Sequence, residues 1–235
     1  NTVEYAFLEH CLREDLNVRA PRAMVVLRPI KLIITNYPAD KTETFEVENN
    51  SEDETMGTRP VTFSRKLWIE SDDFSADPPK KYNRLFAGNE VRLKSAYIVK
   101  CTGCKTDENG NITQVYAEYD PETRGGNTPD GRKVRGTIHW ADAQTALDVE
   151  VRLYENLFTD PDPDAAEDFT AVINRDSLEI LKNCKAERSL ENAAPPQSFQ
   201  FLRSGYFVAD SKLSKPGAPV FNRAVALKDG FKPGL

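Results

Sequence analysis

From Val91 to Lys100 the chain alternates almost without a break, with Val91, Leu93 and Tyr97 on one parity and Arg92, Lys94 and Lys100 on the other. A period of two is the spacing of a pleated strand, whose successive side chains leave opposite faces. The stretch predicts a strand with one packed face and one face that offers cations. The same reading applies to Met24–Leu27 and Ile30–Ile34, which flank Pro29, to Ile112–Tyr119 and to Asp148–Leu153. It extends to Ser198–Arg203, Gly205–Ala209 and Pro219–Leu227. Many short strands punctuated by Gly and Pro, with little helix, describe an all-β, barrel-like architecture. Helical spacing is confined to the start, where Val3, Phe7, Leu8 and Leu12 form an apolar stripe that Pro21 closes. A chain that opens inside such a stripe reads as a piece of a longer protein. Residues 36–55 read as either a hairpin around Thr44–Val47 or a loop. Leu67–Ile69 predicts a strand and Asp72–Phe74 a turn into a short helix, while Asn174–Leu181 reads as a helical turn or a short helix capped by Asn174 or Asp176.

At 235 residues and 39% hydrophobic content the chain is long enough for two cores. Pro78–Pro79 marks one join and the acidic stretch Asp160–Asp168, with Pro161 and Pro163, a second. Two joins around a middle block imply an insertion. The expected division is therefore 1–21 as a helical tail, 22–79 with 159–235 as one barrel, and 80–158 as a second barrel inserted in it. No apolar run approaches the length that crosses a bilayer, and no cleavable leader precedes the first stripe, so no membrane partner and a cytoplasmic location are expected.

Cys101-Thr102-Gly103-Cys104 has the spacing of half a zinc site, but Cys11 and Cys184 stand alone and supply no second pair. The plain alternative has Cys101 ending a strand and Cys104 entering the Asp107–Asn111 turn, and no metal is expected. Nothing in the chain resembles a phosphate-binding glycine loop, a serine elbow or a spaced histidine pair. His139, beside Trp140, reads as structural or RNA-adjacent. The net charge of -6 argues against nucleic acid only if charge is spread evenly. It is not: Lys80, Lys81, Arg84, Arg92, Lys94, Lys100 and Lys105 share a segment with Glu90 as the sole acid, whereas 40–54 and 155–168 are strongly acidic. The polarity predicts one RNA-facing surface and an acidic back.

The run from Asp130 to Trp140 (Asp-Gly-Arg-Lys-Val-Arg-Gly-Thr-Ile-His-Trp) continues through Ala146–Phe158, and together they resemble the anticodon-binding region of glutaminyl-tRNA synthetases. The resemblance extends through Met56–Val61, Lys80–Tyr82, Lys215–Gly217 and Val220–Arg223, essentially the whole chain. It implies two barrels, proximal and distal, of a type shared with a ribosomal protein that binds 5S RNA, the distal inserted in the proximal, after a short N-terminal helical segment. It implies tRNA(Gln) as partner, gripped at its anticodon loop, by a monomeric enzyme. No cofactor is implied for this stretch; glutamine, ATP and Mg2+ belong to the catalytic domain of such enzymes, whose two nucleotide-binding signatures are absent here. The family's middle-base contacts fall on Arg22 and Gln200, its third-base arginine on Arg84 and its first-base arginine on Arg92. Asn17 stands where the family has an asparagine near the anticodon stem. Lys80, Lys81 and Lys94 complete the expected RNA-facing set, with Arg203, which lies on the opposite strand parity from Gln200. Asn83 and Leu202 depart from the residues common in bacterial members.

Two other readings compete with this one. The same barrel pair serves archaeal and eukaryotic glutamyl-tRNA synthetases, and a basic strand can instead contact an acidic protein. Steep salt dependence of tRNA binding separates RNA recognition from the second.

Overall fold

The computed structural model describes residues 4–228; residues 1–3, Val3 of the expected stripe among them, and 229–235 lie outside the described residues. A helix, α1 (Tyr5–Arg19), ends where Pro21 follows Ala20, whose N–H closes the last turn on the Leu16 carbonyl at 2.9 Å. It buries Leu16 and Ala20 against Tyr206 and Val225, and Arg13 Nε donates to the Ala226 carbonyl at 2.8 Å.

Among the described residues the strands form two seven-stranded sheets and a two-stranded ribbon. In hydrogen-bonding order the first sheet runs Arg22–Ala23, Ser198–Phe201, Gly205–Ala209, Val220–Ala226, Leu147–Tyr154, Leu178–Ala186 and Val25–Val26. Its first and last members are separated in the chain only by Met24, so one kinked segment pairs at both rims and closes the sheet into the proximal barrel. The second sheet runs Gly136–Ile138, Glu90–Leu93, Ile98–Thr106, Ile112–Asp120, Pro29–Ile34, Lys66–Glu70 and Ala141–Asp142. It closes by the same device, here through His139 and Trp140. Met24, His139 and Trp140 are all buried, as closure demands. Each barrel thereby removes the strand edges that invite association with other chains.

The ribbon pairs Glu43–Glu48 with Thr58–Phe63, which resolves residues 36–55 as half of a hairpin. Phe45, Val47, Val61 and Phe63 alternate into the distal core, and Phe63 meets the Trp140 ring edge-on at 5.2 Å. The buried Arg59 of the ribbon is bonded by Nε and Nη2 to the buried Glu187, which also accepts the Met24 N–H at 3.0 Å. Phe199, Phe201, Phe207 and Phe221 fill the proximal core beneath Val149 and Val151.

Four expectations are corrected. The inserted barrel is built from residues 29–142 and not from 80–158, because Pro29–Ile34 pairs with Ile112–Asp120 and with Lys66–Glu70. Pro78–Pro79 and Asp160–Asp168 are loops within the barrels; the chain passes between sheets at Leu27–Arg28 and at 143–146. Those crossings are only two and four residues long and are hydrogen-bonded to the neighbouring strands, so neither has the Pro-rich, acidic composition that singled out the expected joins. The alternating stretch at 91–100 is two strands, not one. A tight turn at Lys94–Tyr97, in which the Leu93 N–H bonds the Tyr97 carbonyl at 2.8 Å and Ser95 takes φ +61°, preserves the alternation while reversing the chain. Asn174–Leu181 is not a short helix: it makes a single turn, with the Ser177 N–H on the Asn174 carbonyl at 3.2 Å and the Asn174 side chain accepting the Asp176 N–H at 3.0 Å, after which Leu178–Ala186 pairs with Leu147–Tyr154. Lastly, the strand through Cys101 does not end there but bulges beside Thr102 and continues past Cys104 to Thr106.

Candidate nucleic-acid interface

Arg22 opens the first strand of the proximal barrel and stands opposite Gln200 in parallel register. On the strand of Gln200, Phe199 and Phe201 point into the core, which turns the amide to the other face. That face lies under the end of α1, so Gln200 is only 8% exposed. Its Nε2 donates to Tyr206 Oη at 3.2 Å, and Tyr206 in turn donates to Asn17 Oδ1 at 3.2 Å. Arg22 Nη2 reaches the same Asn17 oxygen at 3.4 Å, while Nη1 donates to Ser51 Oγ. Asn50, itself buried, fastens the helix end by donating Nδ2 to the Asn17 and Val18 carbonyls at 3.2 and 3.0 Å. Asn17, Arg22 and Gln200 are thus one hydrogen-bonded cluster. Tyr206 belongs to it although no sequence motif singled it out. Its place follows from the hairpin centred on Arg203–Ser204, which sets Tyr206 opposite Gln200. Burial, more than neighbouring charge, raises the Tyr206 pKa, so its hydroxyl remains a donor.

Among the described residues Arg22 Nε is buried without a hydrogen-bond partner, as is His139 Nε2. An orphaned buried donor costs about 1–3 kcal/mol, so such a group calls for a water, an ion, a ligand or a functional role to account for it. The guanidinium borders a cleft of about 270 Å³ between the barrels, walled by Glu48, Ser51, Lys94, Gly125 and Leu202. Lys94 of the distal barrel therefore faces the Arg22 cluster across this cleft. The acidic segment expected on the back of the molecule is here too: Glu46 and Glu48 line the cleft and Glu52 approaches Arg22 Nη2 to 3.8 Å. Carboxylates at this rim disfavour a phosphate beside Arg22 and favour a neutral carbonyl.

The remaining expected residues lie elsewhere. Arg84 and Arg203 converge on Asp73, whose side chain is fully buried. Arg203, at φ +67° in the hairpin turn, donates both terminal nitrogens to the two Asp73 oxygens at 2.6 Å, and Arg84 Nε stands 3.4 Å from Oδ1. The expected RNA contact by Arg203 thus meets a guanidinium whose terminal nitrogens already serve a buried carboxylate, and which clasps the proximal hairpin to the distal barrel. Beside it His139 Nδ1 is 3.4 Å from Arg203, and His139 Nε2 is 3.4 Å from Glu70 Oε1. Burial pushes the Glu70 carboxyl up, but His139 and the N–H groups of Leu27 and Arg28 outweigh it and hold the group below the usual range. His139 is therefore part of the inter-barrel joint. Arg92 donates Nε to the Gly126 carbonyl at 2.5 Å and packs so closely that a Cβ at that glycine would come within 2.8 Å of its Cδ. Lys80 and Lys81 are exposed on the loop that Tyr82 and Arg84 anchor by donating to the Asp72 carbonyl at 2.7 and 2.8 Å.

The two barrels thus enclose a polar cleft that Arg22 borders. Residues 20–120 and 137–210 match two family profiles that share one description, tRNA synthetases class I (E and Q), anti-codon binding domain. The chain belongs to that family. It is 52% identical over 229 residues to the glutamine–tRNA ligase of Colwellia psychrerythraea, covering 97% of this chain and 41% of that protein. With the glutamine–tRNA ligases of Clostridium kluyveri and Clostridioides difficile it shares 50% identity over 232 residues and 51% over 235, covering 98% and 100% of this chain and 42% of each relative. The chain spans about two-fifths of the length of these curated relatives.

Proposed function

We propose that this chain is the module with which a glutamine–tRNA ligase reads the anticodon loop of tRNA(Gln), in the cytoplasm and as part of a monomeric enzyme. The observation that carries the reading is the direct opposition of Arg22 and Gln200, tied through Tyr206 to Asn17, with Arg22 Nε left unpartnered at the cleft. A single-stranded base is recognised through its exposed Watson–Crick edge. Uracil presents one N–H between two carbonyls, and a glutamine amide with one N–H still free matches two adjacent positions of that edge. Arg22, beside Glu52, is suited to donate to a base carbonyl. Joining glutamine to tRNA with ATP and Mg2+ is then the task of the catalytic part of such an enzyme. The glutamyl-type alternative has no comparable support, since the relatives named above are glutamine–tRNA ligases.

The test is binding of tRNAs that differ only at the middle anticodon base. Gln200→Ala and Arg22→Ala should each cost about 1–3 kcal/mol of discrimination for uracil over cytosine, by analogy with bidentate base contacts. Lys81→Ala and Lys94→Ala should lower affinity for all the tRNAs alike and flatten its salt dependence. An undiminished uracil preference in both the Gln200 and Arg22 variants removes these residues from the reading site.

A further inference from the structure

Past Arg92, at the opposite end of its strand from the cleft, the distal barrel carries a concavity of about 410 Å³ whose wall includes Asn83, Asn89, Glu90, Lys100, Lys133 and Arg135. Its shape follows from the strand pairing. Glu90 lies across the ladder from Lys100, and Gly136, next after Arg135, pairs with Val91. The Asn83 carbonyl folds so closely over Gly136 that a Cβ there would stand 2.1 Å from the oxygen, so only glycine lets this loop close the wall. Asn89 holds the loop by donating Nδ2 to the Arg84 carbonyl at 2.7 Å.

The charge balance of the wall points to an anion. Its one carboxylate, Glu90, is engaged by Arg132 Nε at 3.1 Å, and the other nitrogens of Arg132 take Asp120 and Asp130 at 2.6 and 2.7 Å. Lys100, Lys133 and Arg135 are exposed and, among the described residues, none has a carboxylate partner at ion-pair distance. No aromatic ring lines the concavity, so there is no platform on which a base could stack. What remains favourable is the sugar–phosphate backbone, whose contacts position a nucleic acid without reading its sequence. Glu90, Arg92 and Lys94 share one parity, and at about 3.3 Å per residue the concavity begins about 13 Å from Lys94. The concavity and the cleft thus lie at the two ends of the row Glu90, Arg92, Lys94.

We propose that the concavity binds one or two backbone phosphates of the RNA strand that leaves the bases held in the cleft. The proposal rests on the anticodon-reading function above and adds a site to which none of Asn17, Arg22, Arg84, Arg92 or Gln200 contributes a wall residue.

The experiment uses the full 235-residue chain and an anticodon stem-loop RNA. Lys133→Gln combined with Arg135→Gln changes two exposed side chains, and near-ultraviolet circular dichroism should be unaltered. The slope of log K against log salt should become shallower by about 0.7 for each phosphate that is no longer neutralised, with the preference at the middle base unchanged. Methylphosphonate placed singly along the loop should reveal a phosphate whose neutralisation weakens binding to the unmodified chain but not to the double variant. An unchanged slope, or a methylphosphonate scan that is the same for both proteins, overturns the proposal while leaving the anticodon function standing. Failure of the unmodified chain to bind the stem-loop overturns both.

Discussion

Arg203→Ala is expected to be the most destabilising single arginine replacement near the interface. The substitution removes two 2.6 Å bonds from a carboxylate that has no exposure of its own and leaves it with Arg84 Nε at 3.4 Å. Stripping the partner from a buried ion pair costs about 3–5 kcal/mol. Arg203 is one-third exposed and Arg84 remains nearby, so the lower end, about 3 kcal/mol, applies. At about 2–4 °C per kcal/mol for a chain of this size, Tm should fall by about 6–12 °C. Arg84→Ala sets the contrast. Its side chain is 41% exposed and its removal leaves the Arg203 pair intact, so a cost under about 1 kcal/mol is expected. Adding Asp73→Ala to Arg203→Ala should restore part of the stability, because it removes the stranded charge. Calorimetry on the four proteins checks the ordering. If Arg203→Ala lowers Tm no more than Arg84→Ala does, Asp73 is not held as described, and Arg203 returns to the set of candidate RNA contacts.

Glu70 predicts a pH dependence. Its folded-state pKa lies below its unfolded value, so its contribution to stability is present above the ordinary glutamate range and is lost as pH falls through the depressed value. Urea unfolding of the unmodified chain and of Glu70→Gln should therefore differ near neutrality and converge in acid; a constant gap down to strongly acidic pH contradicts the assignment. Thiol reactivity supplies a second measurement. Burial pushes the Cys184 thiol up to about 12 and also raises Cys101, whereas Cys11 is exposed. Iodoacetamide at mildly alkaline pH should label Cys11 well before either buried thiol, and mass spectrometry finding early modification of Cys184 would refute the packing around it.

Strand positions are legible in the sequence because alternation is imposed locally by the pleat. Chain reversals are legible only where special residues make them. The turn at Ser95 carries no such mark, since it contains no Gly, Pro or Asn, and serine takes a left-handed conformation there that its surroundings must support. The barrel limits fall away from the expected joins for the converse reason: proline-rich loops advertise themselves, whereas the true crossing at Leu27–Arg28 is ordered by the Glu70 carboxylate accepting both N–H groups, at 2.6 and 2.9 Å. The meeting of Arg22 with Gln200 is expected from family resemblance and is realised by strand register. The acidic rim of Glu46, Glu48 and Glu52 is not, since it depends on how the ribbon leans over the cleft, a long-range outcome that composition along the chain does not encode.

The nesting of one closed barrel within the strands of another also orders their formation. Every strand of the distal barrel lies between Pro29 and Asp142, so that barrel can complete itself from one continuous stretch as the chain emerges from the ribosome. Val25–Val26 must wait for Leu178–Ala186, and Arg22–Ala23 for Ser198–Phe201. Once the inner barrel has formed, its entry and exit are held near one another, and the loop that the outer barrel still has to close is shortened by the whole inserted length. Loop closure costs less when the intervening chain is shorter. The inserted barrel thereby acts as a staple at the base of the proximal one, and Arg22 meets Gln200 only when the later strands arrive to close the outer ring.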